Sequence, residues 1–155
     1  MQEIYVSIGS NMEPVKNISR CREILQKDFG CVTFSPAYQS KAVGFRGKPF
    51  LNLAAAIHTH LPFPALTLHL KRIEQQMGRT REQKGMSDRI IDIDILIYDG
   101  RIIDPEETLT QAHLLKPLTD LAPEIKIAET GPSLAECWHQ LDRQGTELEK
   151  FPGSH

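Results

Sequence analysis

The sequence predicts an α/β (α+β) fold, a ferredoxin-like βαββαβ core with helices packed against an antiparallel sheet. Three observations predict it. Two stretches with helical periodicity are each preceded and followed by β-rich runs, in the order βαββαβ. Each helical stretch carries a single apolar stripe, the pattern of a helix lying on a sheet. The last β-rich run, RIIDIDILIY, alternates isoleucine with aspartate, so it buries one face only.

EIYVSIG (3–9) alternates and is rich in β-formers, giving the first strand. Ser10 to Glu13 has the S-x-x-E form of a capping box, and Pro14 suits a first helical turn. Val15, Ile18, Cys21, Ile24 and Leu25 then recur at steps of three and four, predicting a helix that ends near Asp28–Gly30. CVTFSPAYQS (31–40) reads as the second strand and PFLNLAAAIHTH (49–60) as the third. Pro62 and Pro64 open a second helix with its stripe at Leu66, Leu70, Ile73 and Met77, and Gly78 is placed to cap it. RIIDIDILIY (89–98) is the fourth strand, and both helices are expected on one face of the sheet. SLAECWHQL (133–141) predicts a short terminal helix, with Trp138 in the core.

With 155 residues, 40% hydrophobic and 25% charged, the chain suits a single domain, 1–155, with a substantial core. A net charge of −2 supplies no global field for nucleic acid or anionic membrane. The absence of an apolar run of 18 residues argues against a membrane span. Cys21, Cys31 and Cys137 are odd in number and far apart, which fits a reducing, cytoplasmic setting better than a disulfide framework. A monomer is the default expectation.

Asp92 and Asp94 raise the chemical question. Two residues apart on a strand, they share a face at ~6.6–7 Å, while Ile91, Ile93 and Ile95 share the other. Neighbouring carboxylates resist joint ionisation unless cations sit between them. Arg79, Arg81, Lys84 and Arg89 run directly into this pair. Ion pairing across a solvated face is the plainer reading of such a cluster. The functional one is a Mg²⁺ and polyphosphate site, because carboxylates hold Mg²⁺ and guanidinium forks match phosphate oxygens. No GxxxxGK[ST] is present, which excludes a P-loop. Lys71 and Glu74, off the apolar stripe of the second helix, read as a solvated i,i+3 pair or the flank of a nucleotide pocket. Asn52 interrupts an apolar strand, and its donor–acceptor amide suits a heterocycle edge. His58 and His60 read as an exposed strand end, and His69 and His139 as helix surface. The stretches 38–49 and 79–88 are long polar connections, expected near the same part of the sheet.

SIGSNM (7–12), KPFLN (48–52), RIEQQMGRTR (72–81), DRIIDIDIL (88–96) and PLTDLAPE (117–124) together resemble the 6-hydroxymethyl-7,8-dihydropterin pyrophosphokinase family. The resemblance implies transfer of the β,γ-diphosphate of ATP to the hydroxymethyl group of a reduced pterin, with release of AMP, in folate biosynthesis. It implies that Asp92 and Asp94 hold two Mg²⁺ ions, and that Arg79, Arg81 and Arg89 act on the transferring phosphates. Lys71, Glu74, Arg81, Arg89, Ile95 and His113 would serve the nucleotide, and Ser40, Val43, Phe50 and Asn52 the pterin. Lys71 stands where the family has glutamine, Met86 where tryptophan is common, and Ser87–Asp88 where Gly–Pro is common. TLTQAHLLKPL (108–118) replaces a longer family segment that carries an arginine and a second stacking aromatic. That shortening motivates a second expectation, a divergent non-catalytic pterin- or nucleotide-binding paralogue. A metal-dependent phosphodiesterase sharing the carboxylate strand is a more distant third.

Overall fold

In a computed structural model of the chain, residues 2–40, 48–79, 89–141 and 148–151 are described. β1 (Gln2–Ser10) leads to α1 (Pro14–Phe29), β2 (Thr33–Phe34) and β3 (Tyr38–Ser40). β4 (Phe50–Thr59), α2 (Phe63–Gln76), β5 (Asp92–Tyr98) and β6 (Arg101–Ile102) follow. The chain continues through α3 (Pro105–Thr110), α4 (Ala112–Leu121), α5 (Leu134–Gln140) and β7 (Leu148–Lys150). The sheet runs β6-β5-β1-β4-β3-β7, with β2 beside β4, and every pairing is antiparallel. The predicted strands lie in the ferredoxin-like order of fourth, first, third, second.

Local chemistry explains where the elements depart from expectation. The predicted second strand is two short pieces, because Pro36 has no N–H to give the ladder. Ser35 bridges the gap, its N–H donating to the Ala54 carbonyl and its hydroxyl accepting from the Ala54 N–H. The expected capping box at the start of α1 does not form. Ser10 is the buried last residue of β1, and Glu13, at φ 41°, occupies the cap without a side-chain hydrogen bond. Gly78 follows α2 at φ 102°, and the Gly78 and Arg79 N–H groups close the helix end, as expected of a glycine cap.

Helices cover both faces of the sheet. On one, Ile18, Cys21 and Leu25 of α1 and Leu66, Leu70 and Ile73 of α2 meet Ile4, Val6 and Ile8 of β1. On the other, Leu114, Leu115 and Leu118 of α4 and Leu134 of α5 bury Tyr5, Ala56 and Ile97. The expectation of helices on one face holds for α1 and α2; the C-terminal third adds a second layer. A strand register shift between Tyr5 and Val6 turns Ile97 into that second core, although Ile93 and Ile95 pack with the first. No helix among the described residues is long and apolar enough to cross a membrane.

Candidate active site

The pleat decides which side chains can meet. Leu51, Leu53, Ala55 and Ile57 of β4 enter the α1/α2 core, so Phe50 and Asn52 project from the opposite face. Pairing carries the same parity across the sheet. Ser40 stands opposite Phe50, and Tyr38 opposite Asn52. Asn52 stands opposite Gly9, which on its other side faces Asp92. Ser7 faces Asp94. Four of the predicted positions thus occupy one face in neighbouring rows: Phe50, Asn52, Asp92 and Asp94. Ser40 joins them at the β3 edge. Two strand spacings, about 9.5 Å, separate the backbones of Asn52 and Asp92.

Asp92 is held by two arginines. Arg79 Nη1 donates to its Oδ1 and Arg89 Nη1 to its Oδ2, each at 2.7 Å. Arg79 Nη1 also lies 2.9 Å from Glu74 Oε1. The plain expectation of ion pairing is therefore met at Asp92, with guanidinium charge gathered where polyphosphate charge would need it. Asp94 keeps an exposed edge. Its carboxyl is nonetheless pushed up to about 7, first by desolvation in the hollow between β5 and α2, then by the charges of Asp92 and Glu74. A proton or a cation relieves that crowding.

Glu74 corrects the expectation of a solvated pair with Lys71. Only Lys71 is exposed; Glu74 is 6% exposed, and its Oε2 accepts from the Ile93 N–H at 2.7 Å. It caps an amide on the outer edge of β5, a partner that helical periodicity cannot reveal. Burial drives its carboxyl upward against the lowering effects of the Ile93 amide and Arg79.

Lys71, Glu74, Arg79, Asp92, Asp94 and Ile95 all line one cavity of about 260 Å³ between α2 and β5. Sequence reasoning placed all six in a nucleotide–metal site, and the fold brings them together. His113 does not line this cavity among the described residues; it lies in the first turn of α4, and burial lowers its pKa. Val43 and Arg81 lie outside the described residues, as does Met86.

The donor set fits Mg²⁺, which binds through one or two carboxylates completed by phosphate and water oxygens. Among the described residues no group of three or more His, Cys, Asp or Glu side chains is arranged to hold a metal ion by protein ligands alone, so phosphate and water oxygens would complete the shell. Asp92 and Asp94 are hard oxygen donors on one face, and the two guanidinium groups on Asp92 show that this carboxylate takes positive charge at close range.

Asn11 and Gly9, within SIGSNM, make contacts that the motif alone does not reveal. Asn11 is fully buried, its Oδ1 accepting from the Arg89 N–H at 2.7 Å and its Nδ2 donating to the Lys48 carbonyl at 3.2 Å. Its own N–H donates to the Arg89 carbonyl. Lys48 and Arg89, the described residues that follow 41–47 and 80–88, are thus tied to one side chain, while those two stretches lie outside the described residues. A buried amide directly after a strand was the available signal.

A family profile described as 7,8-dihydro-6-hydroxymethylpterin-pyrophosphokinase matches residues 5–123. The 2-amino-4-hydroxy-6-hydroxymethyldihydropteridine pyrophosphokinase of Pseudomonas aeruginosa is 31% identical, covering 99% of each chain. The protein of the same name from Methylorubrum extorquens is 35% identical over 95% of this chain and 98% of its own. The folic acid synthesis protein fol1 of Schizosaccharomyces pombe is 32% identical over 93% of this chain, which spans only 21% of that longer protein. With a sheet that sets the carboxylate pair and Asn52 on one face two strands apart, and a match across most of its length, the chain belongs to the 7,8-dihydro-6-hydroxymethylpterin-pyrophosphokinase family.

Proposed function

We propose that this protein transfers the β,γ-diphosphate of ATP to the hydroxymethyl oxygen of a 7,8-dihydropterin, releasing AMP, as a step of folate biosynthesis. The observation that carries the proposal is the single cross-strand row Asn52–Gly9–Asp92, bordered by the cavity between α2 and β5. It supports the reading by setting the Asn52 amide and the Asp92 carboxylate on one sheet face, two strands apart. Family membership favours turnover over binding alone.

Asp92 and Asp94 would hold Mg²⁺, two ions being expected. Mg²⁺ held there supplies positive charge against the phosphates and draws electron density from the β-phosphorus. Arg79 and Arg89, which neutralise Asp92 in the free protein, would pass to phosphate oxygens as charge develops on them, and the family resemblance gives Arg81 the same role. The nucleotide lies along the cavity bordered by Lys71, Glu74 and Ile95. On the acceptor side Asn52 would read the edge of the pterin and Phe50 pack against its plane beside Ser40, with Val43 assigned to the same pocket by the family resemblance alone. The hydroxymethyl oxygen attacks the β-phosphorus and gives up its proton to water, the bond from that phosphorus to the α,β-bridging oxygen breaks, and AMP leaves with that oxygen. Catalysis is then mostly positioning and charge stabilisation, with no side chain assigned as general base. The free thiols of Cys21, Cys31 and Cys137 fit a cytoplasmic setting.

AMP release from ATP, measured with Mg²⁺ and 6-hydroxymethyl-7,8-dihydropterin, tests this. The native chain is expected to form AMP only with both substrates, and Asp92→Ala or Asp94→Ala to lower the rate by about 10²-fold or more. No AMP above an enzyme-free control overturns the proposal.

A further inference from the structure

Gly9 stands in the interior of β1, paired on both sides, where glycine weakens a strand relative to alanine. Its backbone does not demand glycine, because the positive-φ glycines among the described residues are Gly30, Gly78 and Gly100. Space demands it. A Cβ at position 9 would lie 3.0 Å from Asn52 Nδ2, 3.7 Å from its Cγ and 3.8 Å from its Oδ1. The Asn52 amide therefore lies across the Gly9 backbone, in the gap between β4 and the Asp92 strand.

A second observation says what that pose is for. Asn52 is 6% exposed, and its Oδ1 is buried with no hydrogen-bond partner among the described residues. A native protein seldom leaves a buried carbonyl oxygen unpaired, unless another molecule supplies the donor. Leaving out one methyl group at position 9 is what allows the amide to rest there with its oxygen unspent.

We propose that Gly9 is a positioning residue for the acceptor: by omitting a Cβ it holds the Asn52 amide flat across β1, with Oδ1 kept for an N–H donor on the edge of a planar heterocycle. This rests on the proposed function and adds the residue that sets its acceptor geometry. A Cβ at position 9 would make the amide give by a few tenths of an ångström, shifting the acceptor's anchor while leaving the cavity beside α2 unchanged.

The test measures, by calorimetry, the affinities of the full chain for 6-hydroxymethylpterin and, separately, for a Mg²⁺ complex of a non-hydrolysable ATP analogue. Gly9→Ala is expected to weaken pterin binding about tenfold or more, equivalent to at least ~1.4 kcal/mol, with nucleotide affinity held within about threefold. In the Asn52→Ala background the clash is gone, so adding Gly9→Ala should cost no further pterin affinity. Native pterin affinity in Gly9→Ala overturns the inference alone, as do losses that multiply in the double variant. Should Gly9→Ala itself fold poorly, the double variant must regain the fold and nucleotide affinity of Asn52→Ala, and failure to do so overturns it equally. A native chain that binds nucleotide but no pterin overturns the proposed function, and this inference with it.

Discussion

Asp92 is the side chain on which the guanidinium groups of the candidate site converge. In the free protein each of its oxygens accepts a charge-assisted hydrogen bond, from Arg79 and from Arg89. Asn11 fixes the backbone from which Arg89 reaches it. Asn11→Ala removes the acceptor for the Arg89 N–H and the donor to the Lys48 carbonyl. It should destabilise the chain by about 1–3 kcal/mol, read as a lower urea midpoint at unchanged slope. A midpoint equal to the native one would mean that water satisfies both groups. Glu74 belongs to the same scale: Glu74→Ala strands the Ile93 N–H and one contact of Arg79, and should cost a similar ~1–3 kcal/mol. Glu74→Gln, keeping an acceptor for that N–H, should lose less.

Among the elements that the sequence analysis does not predict, α4 buries apolar surface against the sheet. Pro117 sits inside it and has no N–H to donate to the His113 carbonyl. Burial of Leu114, Leu115 and Leu118 against the sheet outweighs that local cost. Tyr38 ties the helix to β3 through Asp120, which also pairs with Lys116 at 3.0 Å, and Lys116 lies over the Trp138 ring. His113, in its first turn, has a pKa depressed below 6.5 by burial. The unfolded chain therefore binds a proton more readily than the native one as pH falls through about 6.5 and below, so this histidine withdraws stability in acid. His113→Asn should lose less Tm than the native chain between pH 7 and 5; parallel losses would show that protonation there is not felt. At α5, Ser133 and Glu136 form a reciprocal capping box. Ser133→Ala is expected to cost about 0.5–2 kcal/mol in chemical unfolding.

For the whole molecule, the central strands β1 and β4 contribute to both cores, Ile4 and Ile57 to one and Tyr5 and Ala56 to the other. Strands shared in this way couple the layers, so the two faces should unfold together. Leu118→Ala, in the core farther from α1, should cost about 2–5 kcal/mol. Circular dichroism and Trp138 fluorescence should then report coincident transitions, both shifted. Separate transitions for the two probes would show that the α4/α5 layer melts on its own.

Strand parity, helix stripes and the spacing of Asp92 and Asp94 were legible in the sequence because they depend on period alone, two for a strand and 3.6 for a helix. They determined the antiparallel α/β class, the placement of α1 and α2, and the shared face of the carboxylates. The family motifs added the residues expected around them. Only the tertiary structure decided that Glu74 is buried on a β5 amide, that Asn11 joins both loop ends, and that α4 closes the second face despite Pro117. It alone set Gly9 between Asn52 and Asp92. These are contacts between segments far apart in the chain, fixed by strand register and by which polar groups must find partners once water is gone. Local periodicity holds no record of either.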